Sequence, residues 1–187
     1  LAVGLLSVAF FTPFVFLASY AQDQGIGAAT ASIIVGLIGV TSTLGRLVLA
    51  GAGGRLGEVR TYQVCHGLMA LAFLVWLFAG GSVVALLTYS ILMGMGYGGF
   101  VSLAPAVLAS EFGPERLGGL IGTLYSAFAF GSASSPPLIG WLTDSVGAAA
   151  GVAVALTASI GAFAATMALR AGAPSPDDAA IPSPTGG

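Results

Sequence analysis

Residues 28–50 read AATASIIVGLIGVTSTLGRLVLA, an apolar run that carries a single fixed charge, Arg46. About 20 apolar residues suffice for a helix to cross the ~30 Å hydrocarbon core of a bilayer, so the run predicts a transmembrane helix. A guanidinium at that depth costs roughly 2.5–3.5 kcal/mol on insertion scales, and more in simulations of isolated helices. Such a residue faces a protein interior or a water-filled path, and Arg46 is accordingly expected to bind an anion within a membrane carrier. Ser32, Gly36, Gly39, Ser42, Thr43 and Arg46 recur at intervals of three or four. They form a small, polar stripe, while Ile34, Leu37, Ile38, Leu44 and Val48 place apolar bulk elsewhere. A helix bordering a hydrated cavity needs that division, because its lipid-facing side must stay apolar. The plainer reading is that Arg46, about one and a half turns from the end of the span, snorkels to the headgroups. No Asp or Glu falls inside any apolar span to neutralise it. A buried Arg46 therefore requires water, an anionic substrate or a partner from outside the chain.

The rest of the chain repeats the pattern. Of 187 residues, 57% are hydrophobic and 6% charged, and the mean hydropathy is +1.00. Ordinary soluble domains are about 25% charged, so the composition predicts an all-α polytopic membrane protein. Six spans are expected, at 1–20, 28–50, 62–80, 83–109, 118–141 and 147–169. Glycine and polar residues fill the connections, among them Gly53-Gly54-Arg55-Leu56-Gly57-Glu58 and Thr143-Asp144-Ser145-Val146-Gly147. The expected organisation is a six-helix bundle over 1–170 followed by a Pro-rich, disordered tail over 171–187. The chain opens on Leu1 inside an apolar run with no basic leader before it. That start reads as a span and as a fragment of a longer protein rather than as a signal peptide.

Arg55 and Arg60 follow the second span, Arg116 the fourth and Arg170 the sixth, all on one side, with Asp23 and Asp144 opposite. By the positive-inside rule the arginines are cytoplasmic, as are both chain ends. The net charge of −2 and the lack of basic runs argue against nucleic-acid binding. Cys65 is the single cysteine, which rules out an intrachain disulfide or a CxxC metal site.

Other motifs are better explained by packing than by chemistry. Gly94-Met95-Gly96-Tyr97-Gly98-Gly99 matches GxGxxG, but it lies within a span and lacks the strand–turn–helix setting that gives the motif meaning. Gly94 with Gly98, and Gly118 with Gly122, are pairs one turn apart that allow close helix approach. His66 and Cys65 are adjacent, hence about 100° apart on a helix and no ligand pair; the histidine reads as a core residue. An intramembrane serine protease is disfavoured, because the one histidine precedes Ser132, Ser134 and Ser135. Pro13 and the pair Pro136-Pro137 are expected to kink their helices.

Several of these residues carry a resemblance. The run FVFLASYAQDQGI at 14–26, the Gly45-Arg46 pair and Phe112-Gly113-Pro114-Glu115-Arg116 resemble the C-terminal half of major facilitator superfamily transporters. The likeness is strongest to the monocarboxylate and oxalate/formate subgroup and extends to about residue 170. The superfamily's cytoplasmic loop pattern, G-x-L-a-D-R-x-G-R, is matched by Arg55 and Gly57, with Gly54 where the Asp usually stands. Pro137 to Asp144 fits the P-x-x-G-x-x-x-D pattern that ends the eleventh helix. The resemblance implies half of a twelve-helix fold built from inverted repeats, working by alternating access against a missing N-terminal six-helix half.

By the same resemblance, Arg46 occupies the position of an eighth-helix arginine that pairs with a substrate carboxylate, a task suited to its planar fork. Ser42 stands where animal monocarboxylate transporters have an Asp tied to proton coupling. Residues 125–129 lack the lysine with which oxalate transporters hold a second carboxylate, and Phe128 lies near that place. The implied substrate is a small organic anion with one carboxylate, most simply a monocarboxylate. Arg46, Ser42 and Thr43 would bind it, and Tyr97, Tyr125 and Phe128 would line its apolar side. Pro13, Arg55, Gly57 and Asp144 are the expected conformational or gating positions. Proton symport is the family expectation. With no nucleotide-binding motif, transport is expected to run on a gradient; neither a cofactor nor an enzymatic activity is expected. The Ala- and Gly-rich composition suggests a bacterial source, hence the inner membrane. The rival readings are an exporter of other small metabolites in which Arg46 is structural, and a non-transporting six-span scaffold.

Overall fold

The computed structural model describes residues 2–169; Arg170 and the expected tail at 171–187 lie outside the described residues. Six α-helices follow one another: α1 Ala2–Asp23, α2 Ala28–Leu56, α3 Glu58–Leu77, α4 Val83–Phe112, α5 Leu117–Val146 and α6 Ala148–Thr166. A 3₁₀ turn at Pro114–Arg116 joins α4 to α5. Three helices, α2, α4 and α6, are by length and composition able to cross a bilayer.

Two helices, α2 and α5, run further than hydropathy suggested. The Gly53–Leu56 stretch, expected as a loop, continues α2 to Leu56, and Thr143–Val146 continues α5. Glycine in a helix costs about 1 kcal/mol relative to alanine but removes no hydrogen bond, and in an apolar medium the backbone keeps every such bond it can make. The two reversals are consequently single residues. Gly57 (φ +92°, ψ 138°) separates α2 from α3, and Gly147 (φ +111°, ψ 161°) separates α5 from α6. Only glycine adopts such angles without strain. The Gly57 N–H donates to Gly53 O at 3.0 Å, and the Thr61 hydroxyl donates to Gly57 O at 2.9 Å. The kinks expected at proline do not interrupt the helices either: α1 is continuous through Pro13 and α5 through Pro136 and Pro137.

Packing follows from where small and aromatic residues fall. α2 lies against α4 over most of its length, α4 is also backed by α3, and α1 packs on α5 and α6. An aromatic cluster sits at the α3–α4 contact, with ring centroids 4.9 Å apart for Trp76–Tyr89, 5.7 Å for Phe73–Tyr89 and 6.1 Å for Phe73–Trp76. Tyr20 of α1 meets Trp76 edge-on at 5.7 Å. Lower down, Tyr62 and Phe100 are 5.7 Å apart, so α3 and α4 are antiparallel.

The charges separate by end. The Gln63 amide donates to Thr166 O at 2.9 Å, placing the start of α3 beside the end of α6. Arg55, Arg60 and Arg116 therefore share one end of the bundle. Asp23, Thr143 and Ala148 line one small cavity, which puts Asp23 and the end of α5, with Asp144, at the other.

Candidate functional site

The site begins with glycines that bring two backbones together. A Cβ built on Gly98 would strike the backbone of Ser42 and Arg46, one on Gly94 would strike Thr41 and the backbone of Ile38 and Ser42, and one on Gly45 would strike the backbone of Met95. α2 and α4 thus cross in near backbone contact, the arrangement that small-xxx-small spacing permits. The crossing is pinned by hydroxyls. Thr41 donates to Leu37 O at 2.8 Å and reaches Ser90 O at 3.1 Å, and Ser90 donates to Ile34 O at 2.7 Å. On its opposite face, α4 presents Gly96 to Cys65 O and Met69, and Gly99 to the Cys65 sulfur and Leu49. The GxGxxG match is the meeting point of α2, α3 and α4, as a packing motif requires. Gly118 and Gly122, for which the same role was expected, face open space.

This crossing sets the direction of each α2 side chain. Ala31, Ile34, Ile38, Thr41, Ser42 and Gly45 are buried, whereas Ser32, Gly36, Gly39, Thr43 and Arg46 are exposed. The expected polar stripe is real except at Ser42, which is 5% exposed and is taken into the α2–α4 contact. The reason is angular: Ser42 lies on the α4 side of Arg46 and Thr43 on the other. Thr43 bonds back to its own helix, its hydroxyl donating to Gly39 O at 3.4 Å. Ile33, Val40, Leu44, Leu47 and Val48 form a separate exposed apolar face.

Beside Arg46, α4 and α5 enclose a pocket of about 130 Å³ whose walls include Tyr97, Phe100, Tyr125 and Phe128. The Arg46 backbone abuts Gly98, the residue after Tyr97. The structure brings Tyr97, Tyr125 and Phe128 into one pocket, with the Arg46 backbone against the neighbouring Gly98. Phe128 is buttressed from α1 by Phe11, centroids 5.8 Å apart, while Tyr125 remains 53% exposed. The result is an aromatic hollow with two tyrosines in its lining, close to the helix segment that carries Arg46, an arrangement able to seat a carboxylate with a small apolar body.

Sequence reasoning missed Phe100, Val101, Ala104 and Leu124, which also line this pocket. The signal was present, since Tyr97, Phe100, Val101 and Ala104 follow the i, i+3, i+4, i+7 rule for one helix face. Nothing in one helix reveals that α5 covers that face. The four expected conformational residues lie apart from the pocket. Pro13 is buried within α1, Arg55 is exposed near the end of α2, Gly57 is the α2–α3 reversal and Asp144 is exposed in the last turn of α5.

His66 is a core residue, 1% exposed, with Nδ1 3.0 Å from Tyr62 O and its ring edge-on to Phe100 at 5.5 Å. Ser132 and Ser134 donate back to their own helix, at 2.8 Å to Ala129 O and 2.9 Å to Phe130 O.

Comparison with known proteins agrees with this architecture. The family model of the Major Facilitator Superfamily matches residues 1–186. Monocarboxylate transporter 12-B of Danio rerio is 30% identical over 139 residues, covering 72% of this chain and 29% of the relative. Monocarboxylate transporter 12 of Rattus norvegicus is 31% identical over 153 residues, covering 79% and 31%. The aspyridones efflux protein apdF of Emericella nidulans is 26% identical over 147 residues, covering 78% and 30%. The chain spans about a third or less of the length of these curated relatives. The matched family consists of transporters rather than enzymes, and with its long apolar helices it identifies an integral membrane protein. The chain belongs to the major facilitator superfamily and resembles its monocarboxylate transporters.

Proposed function

We propose that the chain is the C-terminal six-span half of a secondary carrier for small monocarboxylates. Substrate binds near mid-membrane between this bundle and an N-terminal six-helix half, and the two halves rock to give alternating access. The observation that carries this reading is the exposed Arg46 on a face of small and polar residues, next to the Tyr97–Tyr125–Phe128 hollow. Arg46 pairs with the carboxylate, Thr43 borders it, and the aromatic rings receive the remainder of the molecule. Ser42 contributes through its backbone position at the α2–α4 crossing. One arginine within the apolar spans suits one carboxylate. The arginine-bearing end is cytoplasmic by the positive-inside rule, in the plasma membrane of a bacterial cell, and a proton gradient drives symport.

Uptake of labelled lactate or pyruvate by the full-length protein tests the proposal, with Arg46→Ala and Arg46→Lys compared at equal expression. A charge-assisted hydrogen bond contributes about 1.5–3 kcal/mol, so Arg46→Ala is expected to lower uptake efficiency by about one to two orders of magnitude. Lysine should restore part of it. Uptake unchanged in Arg46→Ala removes the arginine from substrate binding. The similarity to an efflux protein supports a second reading, export of another small metabolite. Outward flux without carboxylate uptake by the unaltered protein would favour it.

A further inference from the structure

A second concavity lies on the far side of α3, away from Arg46 and the aromatic pocket. It is a groove of about 490 Å³ between α3 and α6, walled by Val64, Leu68, Leu71, Phe163 and Met167, with Gly67 in its floor. A Cβ on Gly67 would already touch the Phe163 ring at 3.4 Å, so the missing side chain is what gives the groove its depth. Its polar residues, Arg60 and Gln63, are confined to one end.

The geometry points to a binding site for a single anionic phospholipid of the surrounding bilayer. Arg60, Val64, Gly67 and Leu71 stand at i, i+4, i+7 and i+11, one continuous row along α3. At 1.5 Å per residue the row is about 16 Å long, close to the ~15 Å depth of one leaflet's hydrocarbon. It begins at an exposed guanidinium and continues over apolar residues, with Val64 52% and Leu71 47% exposed, which matches the order of headgroup and acyl chain in a lipid.

The surroundings of Arg60 favour a phosphate. Glu58, two residues earlier, is turned about 200° around the helix, where its Cα and Cγ lie 4.0 Å from a Cβ built on Gly53 of α2. The carbonyl of Thr166 at the end of α6, which would repel an anion, is occupied by the Gln63 amide at 2.9 Å. Arg60 thus offers its charge to the groove without a carboxylate on the same face of α3. The inference depends on the chain lying in a bilayer and is independent of the substrate assigned to Arg46.

The test uses the full-length protein in nanodiscs of mixed phosphatidylcholine and phosphatidylglycerol, with native mass spectrometry counting the lipids retained. One arginine near a membrane surface is worth about 1 kcal/mol toward anionic lipid, so about fivefold enrichment of phosphatidylglycerol over the bulk ratio is expected. Arg60→Gln should return the ratio to bulk, Arg60→Lys should preserve it, and Arg116→Gln, at the same end but outside the groove, should leave it intact. Gly67→Leu, which fills the groove, should reduce retained lipid of both kinds. Melting temperature in phosphatidylcholine alone monitors folding. Should Gly67→Leu melt early, the comparison of the exposed Arg60 and Arg116 variants decides. Enrichment unchanged in Arg60→Gln, or lost equally in Arg116→Gln, overturns the site. So does loss of retained lipid as protein concentration rises and a second copy of the chain takes the groove.

Discussion

Gly98→Ala places one methyl group where α4 meets the backbone of α2. The added Cβ would lie 2.8 Å from Ser42 C and 2.9 Å from Arg46 N, and closer still to Ser42 O, whereas ordinary contact begins at 3.4 Å. Nothing flexible stands in the way, so relief requires α2 to withdraw by about 0.5 Å or more. Overpacking of this kind costs about 1–3 kcal/mol. The upper part of that range is expected here, because withdrawal also lengthens the Ser90 to Ile34 O hydrogen bond of 2.7 Å. Gly51→Ala, on the facing helix α2, is the control: a Cβ there meets nothing within 4 Å, and alanine gains up to about 1 kcal/mol of helix propensity. Reversible unfolding of the full-length protein in mixed micelles of increasing detergent strength should move the two variants in opposite directions. Carboxylate uptake by Gly98→Ala should also fall under conditions where it remains folded, since Arg46 N lies at the displaced contact. Equal stability of the two variants would refute the claim that this crossing is set by backbone contact.

Three further outcomes follow from particular residues. Tyr97→Phe removes a hydroxyl from a residue that lines the aromatic pocket; a neutral hydrogen bond to substrate is worth about 0.5–1.5 kcal/mol, so half-saturating carboxylate should rise about two- to tenfold with expression unchanged. Gly57→Ala forces a side chain into φ +92°, which should cost about 1–3 kcal/mol in the same unfolding measurement, while Gly54→Ala should not be destabilising. Gln63→Leu deprives Thr166 O of its 2.9 Å donor, and amide exchange over residues 167–169 should quicken severalfold, with uptake unaffected.

The legibility of this protein differed from residue to residue. Arg46 was visible at once, because a charge inside an apolar run has few physical outlets. The place of the 94–99 glycines within a span marks them as packing residues, but the same spacing at Gly118 and Gly122 meets no neighbour. Spacing indicates that a close approach is possible and does not supply the helix that makes it. The loop expected at Gly53–Leu56 misled for a related reason. Glycine and arginine are polar on a hydropathy scale, yet hydrogen bonding along the backbone carried α2 through them.

Composition and the order of apolar runs determined an all-helical chain destined for a bilayer, with Arg55, Arg60 and Arg116 at one end and Asp23 and Asp144 at the other. These properties are local sums over consecutive residues, and no distant contact is needed to form them. Tertiary packing alone decided that Ser42 is covered while Thr43 stays open, and that Tyr97 and Phe100 of α4 share a hollow with Leu124, Tyr125 and Phe128 of α5. It decided as well that Gly67 leaves a groove where Gly98 closes a crossing. Periodicity sets the angle of each side chain about its own axis, but what occupies that angle depends on which neighbouring helix arrives there and how closely.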